Sequence, residues 1–171
     1  MAEDKATTGA SGNGSGALDD KGKALLSLLE EEFKGLPLEI GTALELVSVQ
    51  VPGEHLVEFC RKLKEDPRFD FKALLCLSVV DYKEYFQVVY HLLSLKHEHK
   101  IAVRVNTPYD DPKVPSVTSV WAGADWYERE EADLFGVVFE GHPDPRPLIL
   151  WEGFEGYPLR KSYPFNDYQE W

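Results

Sequence analysis

Between Leu74 and Val105 three apolar runs of strand length follow one another closely, and this stretch constrains the fold more than any other. Leu74 to Val80 is a short, mostly apolar run bounded by Asp81, which reads as a buried strand. Phe86 to Leu95 turns back after Lys83-Glu84. Ile101, Val103 and Val105 then place a third apolar face beside it, after the turn Lys96-His97-Glu98-His99-Lys100. Connections this short join antiparallel neighbours, so the centre of the chain is a strand meander.

The residues upstream supply a layer to cover it. Asp19 or Asp20 can cap a first helix whose stripe is Leu25, Leu26, Leu28, Leu29 and Phe33, stopped by Gly35 and Pro37. Leu46 to Val51 alternates as a strand, with Val47, Val49 and Val51 on one face against Ser48 and Gln50. Pro52-Gly53 opens a second helix in which Leu56, Phe59, Cys60 and Leu63 follow the helical period, and Asp66-Pro67 closes it. Helices, strands and meander in this order define an α+β arrangement, two layers with helices over one sheet face.

Both ends differ in texture. Residues 1–17 hold Gly9, Gly12, Gly14 and Gly16 and no face to bury, so a disordered N-terminal tail is expected. The folded domain is assigned to residues 18–140. Its last part contains a rigid loop with Pro108, Pro112 and Pro115, then a helix from about Asp125 to Phe135 closed by Gly136 in a left-handed cap. Residues 141–171 lack any period. They interleave Pro143, Pro145, Pro147, Pro158 and Pro164 with Trp151, Phe154, Tyr157, Tyr163, Phe165, Tyr168 and Trp171. A tail so aromatic is expected to be extended and to lie on a surface, its own or a partner's.

Composition narrows the function. Thirty Asp and Glu against eighteen Lys and Arg give a net charge of -12, which excludes a phosphate-backbone binder and hence nucleic acid as a partner. Cys60 and Cys76 form no CxxC and cannot make a disulfide framework, an iron–sulfur cluster or a structural zinc site alone, which suits a reducing compartment. No run approaches the roughly 20 apolar residues of a membrane span, and no export signal is expected.

Functional groups concentrate in Glu128-Arg129-Glu130-Glu131-Ala132-Asp133. On a helix Trp126, Arg129, Glu130 and Asp133 share one stripe, and Glu128, Ala132 and Phe135 another. No Glu-x-x-His of the di-iron type occurs, so a solvated, internally paired face is expected. His97 and His99 read as turn residues beside Lys96 and Lys100, His91 as a satisfied structural histidine, and His142 as a turn residue with no nucleophile nearby. Without a phosphate loop or dinucleotide fingerprint, these residues define no catalytic, cofactor-binding or metal site.

As one string, Glu128 to Ile149 resembles the signature of the thirty-kilodalton subunit family of respiratory complex I. The pattern is Glu128-Arg129-Glu130, the acid Asp133, apolar Leu134 and Phe135, then His142, Arg146, Leu148 and Ile149, each at its family spacing. Phe86 to Leu95 and Pro158-Leu159-Arg160-Lys161-Ser162-Tyr163-Pro164 extend the likeness to about Leu25–Pro164. Ser162 stands where the family usually has Asp, and Pro145 and Pro147 depart from its usual pattern.

The resemblance implies an α+β domain with a mixed, largely antiparallel sheet. It implies a non-catalytic structural subunit in the peripheral arm of a proton-translocating NADH–quinone oxidoreductase, beside the large quinone-site subunit. It further implies no cofactor in this chain, with flavin and iron–sulfur clusters in partner subunits, and a peripheral location on the cytoplasmic side of the cell membrane. The equivalent subunit of a ferredoxin-fed relative or a membrane-bound hydrogenase is an alternative; a small independent enzyme using the Glu/Asp/His cluster is another. Within the first reading Arg129 is expected to pair with neighbouring carboxylates, while Glu128, Glu130 and Asp133 orient the turn around His142. Trp151, Tyr157 and Tyr163 are the expected anchors of the tail, and Arg146, Arg160 and Lys161 its cationic points toward the partner.

Overall fold

The computed structural model describes residues 18–164. The expected N-terminal tail and the aromatic residues Phe165, Tyr168 and Trp171 lie outside the described residues. Helix α1 (Asp20–Glu32) is capped as its sequence demands: the Asp19 carboxylate accepts the Gly22 N–H at 2.7 Å. It leads into a hairpin of β1 (Glu39–Ala43) and β2 (Leu46–Gln50). No strand is expected at β1 from periodicity, because Glu39-Ile40-Gly41-Thr42-Ala43 hardly alternates. Its turn carries none of the usual Asn-Gly or Asp-Gly either. Leu44 and Glu45 take the left-handed conformation instead, with φ of 47° and 67°, the backbone that a two-residue hairpin needs.

Helix α2 (Gly53–Glu65) buries Leu56, Phe59, Cys60 and Leu63, the four positions that its period marks. The meander follows as β3 (Ala73–Asp81), β4 (Tyr85–Ser94) and β5 (His99–Pro108). Five strands form one sheet in the order β1-β2-β5-β4-β3. Only β2 and β5 run parallel, with Val47 beside Ile101 and Val49 beside Val103; the other pairings are antiparallel. The sheet is therefore mixed and largely antiparallel. Strand β6 (Lys113–Pro115), helix α3 (Ala124–Phe135) and strand β7 (Val138–Glu140) complete the fold, with β6 and β7 paired in parallel.

One face of the large sheet holds the core. Val47, Val49, Leu77, Val79, Phe86, Val88, Tyr90, Leu92, Ile101, Val103 and Val105 point into it. The buried residues of α1, α2, β6, α3 and β7 belong to the same cluster, so these elements all lie on that side. The register sends the alternate residues the other way: Ser48 pairs with Ala102, Ala102 with His91 and His91 with Cys76. His91 is thus half-buried on the open face, its ring without a hydrogen bond among the described residues, and is not the satisfied structural histidine expected.

Candidate functional site: a helix that grips its own C-terminal segment

Helix α3 lies along the outer edge of β3. An edge strand leaves a row of backbone groups without partners, and two α3 side chains answer them. Glu131 accepts the Val79 N–H at 3.1 Å, and the Tyr127 hydroxyl donates to the Leu75 carbonyl at 3.1 Å, where a bulge interrupts the β3–β4 ladder. Glu131 is buried, and its desolvation pushes its pKa from 4.5 up to about 7.

The expectation of a solvated acidic face on this helix is therefore wrong for Glu128 and Glu131. Glu128 is fully buried, its Oε1 accepting the Val117 N–H at 2.7 Å; burial raises its pKa too. Its Oε2 has no hydrogen-bond partner among the described residues and lies 4.0 Å from His142 Nε2. The His142 ring is nearly buried. Its Nδ1 accepts the Asp144 N–H at 3.1 Å, which leaves Nε2 to carry the ring proton toward Asp125, 3.1 Å from Oδ1 and 3.2 Å from the backbone oxygen. Glu128 and His142 are thus neighbours, with Asp125 as a third member that periodicity does not single out.

Arg129 and Asp133, one turn apart, hold the segment after His142 by opposite groups. Contrary to expectation, Arg129 pairs with no carboxylate among the described residues; it donates to the carbonyls of Arg146 at 2.9 Å and Pro147 at 3.2 Å. Asp133 Oδ2 accepts three consecutive backbone N–H groups, from Leu148 at 2.7 Å, Ile149 at 2.8 Å and Leu150 at 3.2 Å. The departure prolines fit this grip. Pro145 and Pro147 have no N–H to leave unpaired, and the amides begin where the carboxylate waits. Glu130 is half-exposed and enters no hydrogen bond among the described residues. Arg146 turns to Asp144 in a bidentate pair with both contacts at 2.7 Å, which holds the Asp144 pKa down at about 2.

The end of α3 is closed by the same segment. Gly136 caps it at φ 71°, as its position in the sequence predicts, and a side chain there would collide with the Tyr157 ring at 2.4 Å. The Leu159 N–H donates to the Leu134 carbonyl at 3.1 Å, and Arg160 Nε to the Phe135 carbonyl at 2.6 Å. A cation on the last carbonyls is also favoured by the helix dipole. The Arg160 guanidinium stacks against Tyr157, Phe86 and Tyr109 with its carbon 4.5, 5.0 and 5.4 Å from the ring centres. So Arg160, expected to face a partner, is engaged within the chain. Lys161 donates its backbone N–H to Asp81 Oδ2 at 2.8 Å, while Asp81 Oδ1 accepts from Lys83 in the β3–β4 turn at 2.6 Å. Asp81 reads in the sequence only as the end of an apolar run; its burial is the missed signal.

Residues 141–164 therefore run as successive turns over α3 and the ends of β3 and β4. Between them and the helix lies a cavity of about 350 Å3, walled by Glu128, His142, Val138, Leu150, Trp151 and Tyr157 among others. Tyr163 packs over Gly156 and near Phe154, half-buried. Trp151 leans on Phe154 yet remains 70% exposed; Val138 and Tyr157 on the same cavity are exposed too, as are Ile149 and Leu159 of the same segment. Among the described residues no group of three or more His, Cys, Asp or Glu is placed to hold a metal ion. Asp133 Oδ2 and the Arg129 Nε edge are already engaged by backbone, and Glu128 is fully buried. This chemistry holds a segment in place and leaves apolar side chains outward.

This chain has known counterparts. Residues 49–169 match the family described as respiratory-chain NADH dehydrogenase, 30 Kd subunit, and the chain belongs to that family. The C-subunit of the NADH-quinone oxidoreductase of Coxiella burnetii is 36% identical over 176 aligned residues, 83% of this chain and 78% of the relative. The second C-subunit of the same enzyme in Rhizobium meliloti is 43% identical over 148 residues, 85% and 81% of the two chains. Among solved structures, the trypsin-resistant fragment of Nqo5 is 38% identical, with a TM-score of 0.59 over 70% of this chain and 98% of the fragment. A chain of the membrane-bound sulfane sulfur reductase, an archaeal respiratory membrane complex, is 30% identical, with a TM-score of 0.73 over 85% and 86% of the two chains.

Proposed function

We propose that this chain is a structural subunit of a proton-translocating NADH–quinone oxidoreductase. It sits in the peripheral arm and supports electron transfer from NADH to quinone without carrying a cofactor or a catalytic residue of its own. The observation that carries the reading is the exposed apolar group around Trp151, fixed on a segment that α3 holds by its backbone. A preorganised, exposed aromatic patch loses little entropy on docking and suits a protein interface. Its partner is the large quinone-site subunit, with flavin and iron–sulfur clusters in other subunits of the arm. Among the described residues no helix is long and apolar enough to cross a membrane, so attachment to the cytoplasmic side of the cell membrane runs through the assembly.

The test is to tag the chain at its genomic locus, purify the assembly and identify its companions. Co-purification of the other arm subunits with NADH–quinone activity is expected, and the isolated chain should have none. Trp151→Ala should lower incorporation while leaving the melting point of the isolated chain within about 2 °C, since hot-spot aromatics act at the interface. A tagged chain that purifies alone from active membranes would overturn the reading. The likeness to the sulfane sulfur reductase chain supports a second one, in which the same subunit serves a ferredoxin-fed relative or a membrane-bound hydrogenase. Assay of the purified assembly with each electron donor separates the two.

A further inference from the structure

The open face of the five-stranded sheet differs from the rest of this acidic chain. Its positions are Leu46, Ser48 and Gln50 of β2, Lys100, Ala102, Arg104 and Asn106 of β5, Tyr85, Gln87, Val89, His91 and Leu93 of β4, and Cys76, Ser78 and Val80 of β3. From β2 to β3 this surface holds no carboxylate, although the chain has thirty; its one carboxylate among the described strands is Glu39 of β1, at the edge beside Gln50. Arg104 sits near its centre, flanked by Gln50 on one side and Val89 on the other. Among the described residues its guanidinium makes no ion pair or hydrogen bond, and its Nε is buried without a partner. Diagonal to it, Ser48 is fully buried and its Oγ is likewise unpartnered. Gln87 donates to Asn106 at 2.8 Å and Gln50 at 3.4 Å, which fixes the amides beside Arg104. Ala102 and Val89 leave a shallow apolar floor.

A half-buried arginine that makes no ion pair and leaves its Nε without an acceptor is costly in a folded chain. It is answered by an acceptor-bearing group arriving from outside. We propose that this face docks a segment of another subunit that presents an Asp or Glu carboxylate to Arg104 and a small apolar side chain to Val89. The charge pattern selects this occupant: a cationic segment would meet Arg104 and Lys100 unpaired, and an apolar one would bury Arg104 without a counter-charge. The proposal rests on the reading that the chain works inside a larger assembly. It adds a second contact surface on the side of the sheet opposite the core and α3.

The test uses the full chain, isolated and in the purified assembly, with Val89→Cys in a Cys76→Ala background; Cys60, fully buried, stays as the unreactive control. Maleimide labelling followed by intact mass should be fast on the isolated chain and at least about tenfold slower in the assembly, as for a side chain taken out of solvent. Arg104→Glu should weaken incorporation about thirtyfold, the low end for a buried interfacial pair left broken. Arg104→Lys should retain most of it, and both variants should melt like the parent. Equal labelling in the two states, within an assembly that contains the chain, overturns the proposal and leaves the subunit reading intact. So does protection already present in the isolated chain and abolished by removing residues 1–17. Absence of the chain from any assembly overturns the subunit reading itself.

Discussion

Replacing Glu131 by Gln should stabilise the protein at neutral pH and do almost nothing in mild acid. Glu131 lies buried against the edge of β3, with a pKa pushed from 4.5 up to about 7 by desolvation, and it serves the fold as an acceptor for the Val79 N–H. An acid whose pKa is higher folded than unfolded binds its proton more tightly in the folded state. The stability linked to that proton is complete below about pH 4.5 and is lost as pH rises through about 7. At pH 8 the loss amounts to about 3 kcal/mol. Glutamine keeps an oxygen for Val79 and carries no charge to desolvate. Glu131→Gln should therefore gain up to about 3 kcal/mol at pH 8, or roughly 6–12 °C in melting point, and less than about 1 kcal/mol at pH 4.5. Urea unfolding of parent and variant at both pH values measures this, and the other buried acids, Asp81 and Glu128, are the same in both proteins and cancel. If the difference between variant and parent is the same at the two pH values, Glu131 is not the group that titrates, and the desolvation account of it fails.

Further expectations concern the grip on the C-terminal segment and the redox content of the chain. Asp133→Ala removes an acceptor whose charged hydrogen bonds are each worth about 1.5–3 kcal/mol, so chymotryptic cleavage near Trp151 should accelerate while the sheet core still unfolds cooperatively; an unchanged digestion pattern would contradict the three-amide contact. Gly136→Ala should cost about 2–4 kcal/mol, from a left-handed φ and a collision with Tyr157, and it should cost less in a Tyr157→Ala background, where only the backbone part remains. The pure folded chain should be colourless and free of stoichiometric iron and flavin, as elemental analysis and absorption spectra will report; Cys60 and Cys76, one in the core and one on the open sheet face, offer no cluster ligation between them.

Much of the architecture is legible where local chemistry and tertiary structure agree. The α2 stripe, the capping Asp19 and the left-handed Gly136 are all apparent because each residue satisfies its own backbone. β1 is not, since its strand exists by pairing with β2 and its turn uses Leu44 and Glu45 in a conformation that their side chains do not advertise. The site divides in the same way. The signature residues Glu128, Arg129, Asp133 and His142 are brought together, but their partners are backbone groups 11 to 18 positions away, which no side-chain pattern encodes. Placing Glu128 on one stripe with Ala132 and Phe135 contains the hint of its burial, and charge alone argues against following it.

Because Arg129 meets only carbonyls and Asp133 only amides, the hold on residues 146–150 depends on the direction of the backbone and hardly on which side chains it carries. Any residue except proline at 148, 149 or 150 still offers its N–H to the carboxylate. The outward side chains of this loop are therefore free to change in step with whatever surface they meet, while the loop itself stays where it is. An insertion between Pro147 and Leu148 has the opposite character: it puts the carbonyl pair and the amide triplet out of phase, so one of the two holds must let go. The loop should tolerate substitution widely and length change poorly, which separates the drift of its contact surface from the constancy of its position.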